Sequence, residues 1–306
     1  MKKIIKLVVF ISLALMLVAC SGGSGSNGGN SGGGSGKKGI ANDSDVLALH
    51  FTAPSEYAEV ERFCEKTVDG KLIEKDIVYN FENGESVTYA VMPGNKLSDL
   101  TNVDNLEQYE VNGFKVYRYD SGNDMMAFIQ NGDDLYAIDR YMIEVDDGTA
   151  LKEIVSGVSF TKNTTTTTDD PSFEELNYEL DKDHNLYETL SRIIEDSQGN
   201  QTEKGVSWTY GNESDTDFTF VIRVYRNKTF DDVLNADSTY EEVVYNGIPY
   251  NALVNSSGDP SYAFYTQHGD DVYLVRNNGD DSGWFISRSE ESYTCFEKFI
   301  SSISFK

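Results

Sequence analysis

The 306 residues include only three cysteines, three histidines and five prolines. No CxxC or Cys/His spacing of a zinc module occurs, and no HExxH, GxSxG or glycine-rich phosphate loop, so neither a metal nor a cofactor is expected. A nucleophile would also need a positioned base beside it, and no Ser, Cys or His stands in such a context. Basic residues are scarce as well: 25 Lys and Arg stand against 51 Asp and Glu, a formal charge of −26. Nucleic acid and anionic headgroups repel such a chain, which leaves cations, basic protein surfaces and neutral glycans as the partner classes. Aromatic residues are plentiful by contrast, at 12% with 19 Tyr, which excludes wholesale disorder.

The chain opens with "MKKIIKLVVFISLALMLVAC". Lys2, Lys3 and Lys6 form a basic end, and Leu7 to Ala19 is an apolar run of about 13 residues, shorter than the ~20 of a spanning helix. Leu17-Val18-Ala19-Cys20 resembles a bacterial lipobox. That resemblance implies that 1–19 is a removable signal peptide and that Cys20 becomes the lipidated N-terminus, a stable anchor because it carries more than one acyl chain, palmitate among them. Removing the signal lysines leaves 22 basic against 51 acidic residues, about −29. The stretch 20–43 then reads as a Gly/Ser-rich tether with a reach of roughly 20–24 Å. The expected location is extracytoplasmic, on the bacterial cell membrane.

Beyond the tether the sequence repeats itself. "DGKLIEKDIVYNF" (69–81) aligns without gaps to "QGNQTEKGVSWTY" (198–210), "VNGFKVY" (111–117) parallels "YNGIPYN" (245–251), "NGDDLYAI" (131–138) parallels "HGDDVYLV" (268–275), and "LKEIVSGVSF" (151–160) parallels "FEKFISSISF" (296–305). Two homologous domains are expected, 44–161 and 172–306, joined by a Thr-rich linker at 162–171. Within each, β-rich runs separated by Asn-Gly predict hairpins with type I′ turns. "KLSDLTNV" after Asn95 predicts a short helix, and Leu151, Ile154, Val155 and Val158 a closing one. The segments 57–66 and 186–197 are ambiguous, and the latter looks helical, with Leu186, Leu190, Ile193 and Ile194 three to four residues apart. The fold class is therefore α+β: two tandem, mainly antiparallel sheets with a few packing helices. The order of "FTAP", "VMPGNKLSDL", an NG hairpin, "NGDDLYAI" and a closing "SF" resembles the PsbP-like fold of the photosystem II subunit PsbP and its relatives. The resemblance implies a binding or assembly module, not an enzyme, and transfers no site residues.

Among candidate sites, the acidic pairs Asp133-Asp134, Asp146-Asp147, Asp169-Asp170, Asp270-Asp271 and Asp280-Asp281 lack the alternating oxygen ligands of a calcium loop and read as charged turns. Cys64 and Cys295 align with Ile193 and Ala150, so both read as small core residues; the alternative is a bridge between them. His50, His184 and His268 have no evident partners. The remaining candidates are aromatic: Trp208, Tyr210, Trp284 and Tyr262 would form a ligand-binding face if displayed, or core if packed. The expected function is non-enzymatic recognition of a protein or cell-envelope component by a membrane-tethered head. The alternative is an envelope solute-capture protein or hydrolase with a cleft in one domain.

Overall fold

A computed structural model describes residues 45–46, 48–100, 106–144, 148–160, 173–212, 215–254, 260–277 and 290–306. Cys20, the tether, the Thr-rich linker, Trp284 and the acidic pairs at 146–147, 169–170 and 280–281 lie outside them. The chain runs through β1 (Asp45–Val46), β2 (Leu49–His50), β3 (Glu59–Val68), β4 (Lys71–Asn80), β5 (Ser86–Met92), a 3-10 turn (Leu97–Asp99), β6 (Glu107–Val111), β7 (Phe114–Ser121), β8 (Asp124–Asn131), β9 (Asp134–Tyr141), α1 (Thr149–Ser156) and β10 (Ser159–Phe160). It continues with β11 (Leu176–Asn177), β12 (Leu186–Asp196), β13 (Gln201–Asn212), β14 (Asp215–Tyr225), α2 (Phe230–Val233), β15 (Tyr240–Tyr245), β16 (Ile248–Val254), β17 (Pro260–His268), β18 (Asp271–Asn277), α3 (Glu290–Ser302) and β19 (Ser304–Phe305). Antiparallel sheet dominates and helices are few, as an α+β reading requires.

Two compact units emerge: residues up to 58 with 78–165 and 197–199, and residues 59–77 with 166–196 and 200–306. In the first, the strand order is β4 (from Val78 on), β5, β9, β8, β7, β6, with β1, β2 and β10 in a small separate sheet. Helix α1 buries Leu151 and Val155. Phe51 stacks on Tyr89 at 3.6 Å, and Phe160 meets Phe114 and Tyr136 edge-on or tilted at 4.7 and 4.9 Å. A second cluster of Ala90, Met92, Leu100, Met126, Phe128, Leu135 and Ala137 is formed by alternate residues of the same strands, the period-2 consequence of burying both faces of a sheet.

In the second unit the order is β15, β16, β17, β18, β14, β13, β12, β3 and the 71–77 part of β4. Helix α3 lays Cys295, Phe296, Phe299 and Ile300 onto Trp208, Phe220, Tyr250, Phe264 and their neighbours. The hairpin β3–β4 joins this unit because β3 pairs antiparallel with β12, from Glu59↔Asp196 to Val68↔Glu188. Ion pairs line that junction: Arg62–Glu195 at 2.7 Å, Lys66–Glu188 at 2.6 Å, Lys75–Glu65 at 2.6 Å and Arg192–Glu203 at 2.8 Å. Glu61, Arg62, Glu65 and Arg192 are all buried, so each charge depends on its partner.

One expected helix is a strand. Residues 186–196 form β12, held between β13 and β3. Register shifts fall between Leu186 and Glu188, between Ser191 and Ile193, and between Ile194 and Glu195. Each bulge skips the alternation by one residue, and a period of two interrupted in this way imitates spacing at three and four.

At Asn83-Gly84 the expected type I′ turn is corrected: only Gly84 has a positive φ (85°), and its N–H reaches Phe81 O at 3.0 Å, so the loop holds an extra residue. The other Asn-Gly and Gly-Asp turns divide into two kinds. Asn112-Gly113 and Asn246-Gly247 have φ of 53° and 81°, and of 49° and 77°, and close between Val111↔Phe114 and Tyr245↔Ile248, the type I′ pattern. In NGDD and HGDD the pairs are Asn131↔Asp134 and His268↔Asp271, so Gly-Asp is the turn. Only Gly132 (63°) and Gly269 (62°) are left-handed there, the type II′ pattern. The expected type I′ turn at Asn131-Gly132 is thus corrected: the glycine takes the first central position, and Asn131 stays in the strand.

Candidate functional site

The aromatic face does not exist at Trp208 and Tyr210, which are 2% and 0% exposed. Trp208 packs against Tyr178 and Phe299 at 5.2 and 6.0 Å, and Tyr210 against Phe218 at 4.8 Å. Both point inward because α3 covers that side of β13; the ligand-binding assignment is corrected to core. Tyr262 lies on β17, with its side chain outside the description. His268 stacks flat on Phe305 at 3.9 Å, a packing role at the turn.

The repeated acidic turns are clamps. Asp134 Oδ1 accepts the Gly94 N–H at 2.9 Å, tying the β8–β9 turn to the loop that enters the 3-10 turn. Asp271 Oδ1 accepts the Asn227 N–H at 2.8 Å, and its Oδ2 accepts from Arg226 Nη1 at 2.7 Å, tying the equivalent turn to the loop before α2. Asp133 points to solvent, 92% exposed, with Lys96 Nζ 3.8 Å away. The second aspartate of each motif therefore holds a neighbouring loop, while the first, Asp133 or Asp270, is an exposed residue of the turn.

The first unit contains a half-open groove of about 410 Å³, lined by Phe51, Pro54, Val87, Arg140 and Ile154 among others. Its polar lining is Thr52, Glu85, Ser86, Arg140 and Glu153, with no histidine or cysteine. Ser86 therefore has no imidazole in the lining to act as its base, and the rest of the groove offers apolar contact.

A convergent polar set occurs instead in the second unit. The loop after β11 brings His184 Nδ1 to 2.9 Å from Asp181 Oδ1, and its Nε2 to 3.1 Å from Glu291 Oε1 in the first turn of α3. Cys295 Sγ, one turn further along α3, is 3.8 Å from the same Nδ1. Asp181 Oδ1 also accepts the backbone N–H groups of Asp183 and His184, and the Asp181 N–H is donated to the hydroxyl of the buried Tyr210 at 3.2 Å. Phe218 meets the imidazole edge-on at 5.0 Å. The hydrogen bond to Asp181 raises the His184 pKa, with Glu291 adding to it, whereas burial and then Asp181 push the Cys295 thiol up to about 11. The thiol therefore stays protonated, and one nitrogen faces both it and the carboxylate, which is the wrong arrangement for an activated nucleophile. Cys295 is a free buried thiol, so the bridge to Cys64 is not formed.

Two outer strands also stand open among the described residues, β6 in the first unit and β15 in the second; β15 is the longer and carries the exposed Val244. Tyr245↔Ile248 closes a two-residue turn and is a hydrogen-bonded pair, so the alternate pairs Val244↔Pro249, Glu242↔Asn251 and Tyr240↔Leu253 are not. Pro249 has no N–H to give, which agrees. Tyr240, Glu242 and Val244 therefore turn their backbone N–H and C=O groups outward, and no strand among the described residues pairs with them. Val244 is 61% exposed, and Glu241 and Glu242 are exposed beside it.

No protein-family model matches the chain, and no curated protein is similar to it. Among solved structures it shows a remote likeness to a chain of the Tle4–Tli4 complex: 10% identity and a TM-score of 0.26 over 81% of this chain and 97% of the other. The T6SS immunity protein TplEi of Pseudomonas aeruginosa, complexed with an "L" peptide, gives 11% and 0.25 over 81% and 98%, and its apo form 10% and 0.25 over 87% and 99%. Likeness at this level carries no inference about partner or activity.

Neither feature has a local signature. His184 and Cys295 are 111 residues apart. The edge becomes visible only once β15 is known to be the last strand.

Proposed function

We propose that the chain is a lipid-anchored, extracytoplasmic binding module that performs no chemical step and takes up an extended, basic segment of a partner protein as an added strand on β15. The observation that carries this reading is the open edge itself: three residues with outward backbone donors and acceptors, rimmed by Glu241 and Glu242. Strand addition takes its affinity from main-chain hydrogen bonds and its selectivity from the flanking side chains, and here those are acidic. Two copies of this edge repel each other, which favours a basic partner over self-association. The lipobox at Cys20 and the Gly/Ser tether would hold such a head near the membrane with freedom to search.

The duplication and the PsbP-like resemblance belong to the same reading. The neighbour orders β5-β9-β8-β7-β6 and β14-β18-β17-β16-β15 repeat one connectivity. In both, the type I′ asparagine reaches the carbonyl just past the closing helix, Asn112 Nδ2 to Val158 O at 3.3 Å and, at the aligned position, Asn246 Nδ2 to Ile303 O at 2.9 Å; Asn112 Nδ2 also reaches Ser156 O at 2.8 Å. Recurrence of so particular a contact supports descent of the two halves from one domain.

The test is affinity purification from the envelope extract of the source cell, using wild type, Val244→Pro and the pair Glu241→Lys/Glu242→Lys. Val244→Pro removes only an outward N–H, so the ladder to β16 survives and the melting temperature holds. A protein retained by wild type and bound at least tenfold more weakly (about 1.4 kcal/mol) by both variants supports the proposal. Equal retention by Val244→Pro, or recovery of a small metabolite in place of a protein, refutes it.

A further inference from the structure

We infer that Asp181, His184 and Cys295 form a zinc site, with His184 oriented by Glu291. The three side chains offer one carboxylate oxygen, one imidazole nitrogen and one sulfur, all within 4.8 Å of one another. Tetrahedral zinc with bonds of ~2.0–2.3 Å places nitrogen and oxygen about 3.3 Å apart, and nitrogen and sulfur about 3.6 Å apart. The observed 2.9 and 3.8 Å differ from those by a few tenths of an ångström. The donor set, one soft and two borderline or hard, is one that zinc accepts and that calcium and magnesium do not.

The second observation is the environment of the imidazole. With Nδ1 facing Asp181 and Cys295, the far nitrogen Nε2 meets Glu291 at 3.1 Å, the carboxylate–histidine pairing that fixes the tautomer of a metal-bound ring. Asp181 is held in turn by its own N–H on the Tyr210 hydroxyl. Glu291 is 70% exposed and His184 21%, so an ion has a way in, while Cys295 lies buried behind them. Three protein ligands leave a fourth position for water or for a side chain of a bound partner. A metal here would fasten the 181–184 loop to the start of α3, and it is independent of strand addition at β15.

The purified full chain is titrated under reducing conditions with zinc alone and with cobalt as a spectroscopic substitute. One equivalent of zinc is expected to bind, raising the melting temperature. Metal binding would release the Cys295 thiol proton to solvent, so cobalt is expected to show a thiolate charge-transfer band in the near ultraviolet. His184→Ala and Cys295→Ala should each abolish the band and weaken zinc binding by more than about 100-fold, while Cys64→Ser leaves both unchanged; Glu291→Gln should weaken zinc by about tenfold and keep the band. Far-ultraviolet circular dichroism in chelator checks that each variant is folded. No thiolate band, or equal zinc uptake by wild type, His184→Ala and Cys295→Ala, would mean adventitious binding to surface carboxylates and would overturn the assignment.

Discussion

Replacing Asp139 by Asn should make the protein more stable above neutral pH and flatten its pH dependence. Asp139 sits on β9 opposite Thr88 and Met126, is 1% exposed, and its carboxyl oxygens meet no well-aligned donor, the Arg140 backbone N–H offsetting only part of the burial. Burial, with Asp124 nearby adding to it, pushes its pKa from 3.8 up to about 8. The folded protein then keeps a proton across a range where the unfolded chain has released it. The unfolded state binds fewer protons there, so stability falls as pH rises between roughly 4 and 8. A displacement of about four units at ~1.4 kcal/mol each bounds the loss at about 6 kcal/mol. Relaxation and water entry leave a realised cost of several kcal/mol for an ion buried in this way. The assay is urea denaturation at pH 5 and pH 8.5, followed on the transition that reports the first unit. Asp139→Asn is expected to gain about 2–4 kcal/mol over wild type at pH 8.5 and less than about 1 at pH 5. Equal differences at the two pH values would refute the reasoning, because a packing effect does not titrate.

Three further outcomes follow from particular contacts. Asp271→Ala removes an ion pair with Arg226 and a backbone acceptor, and should cost about 2–3 kcal/mol in a thermal melt, against less than about 0.5 for the exposed Asp133→Ala. Arg192→Leu removes one cationic partner from the buried Glu61 and one from the half-buried Glu203, which keeps Arg223, and should cost about 1.5–3 kcal/mol, measured by chemical denaturation. Trp208→Ala empties a core position and should cost about 3–5 kcal/mol, with loss of the blue-shifted fluorescence of a buried indole.

What the sequence made legible was mainly local. Glycine in a left-handed turn leaves a readable mark, so the hairpins at Asn112-Gly113 and Asn246-Gly247 and both Gly-Asp-Asp motifs were visible, as was the closing helix from its apolar spacing. The role of Asp134 and Asp271 was not, because their acceptors serve loops 40 and 44 residues away. Strand β12 was misread because its bulges broke the alternation on which recognition depends. Trp208 and Tyr210 were recognised as one face of a strand, but only the position of α3 decides whether such a face is core or display. The polar cluster around His184 joins a loop to a helix 107–111 residues further on, and no spacing rule reaches that far.

The central claim is that β15 is a docking edge, and amide hydrogen exchange of this strand with the captured partner bound tests it most directly. The N–H groups of Glu242 and Val244 face outward and should exchange fast in the free protein. They should gain at least about 100-fold protection in the complex, while those of Val243 and Tyr245, already bonded to β16, should change little. A complex that forms while Glu242 and Val244 still exchange as fast as in the free chain would contradict the account.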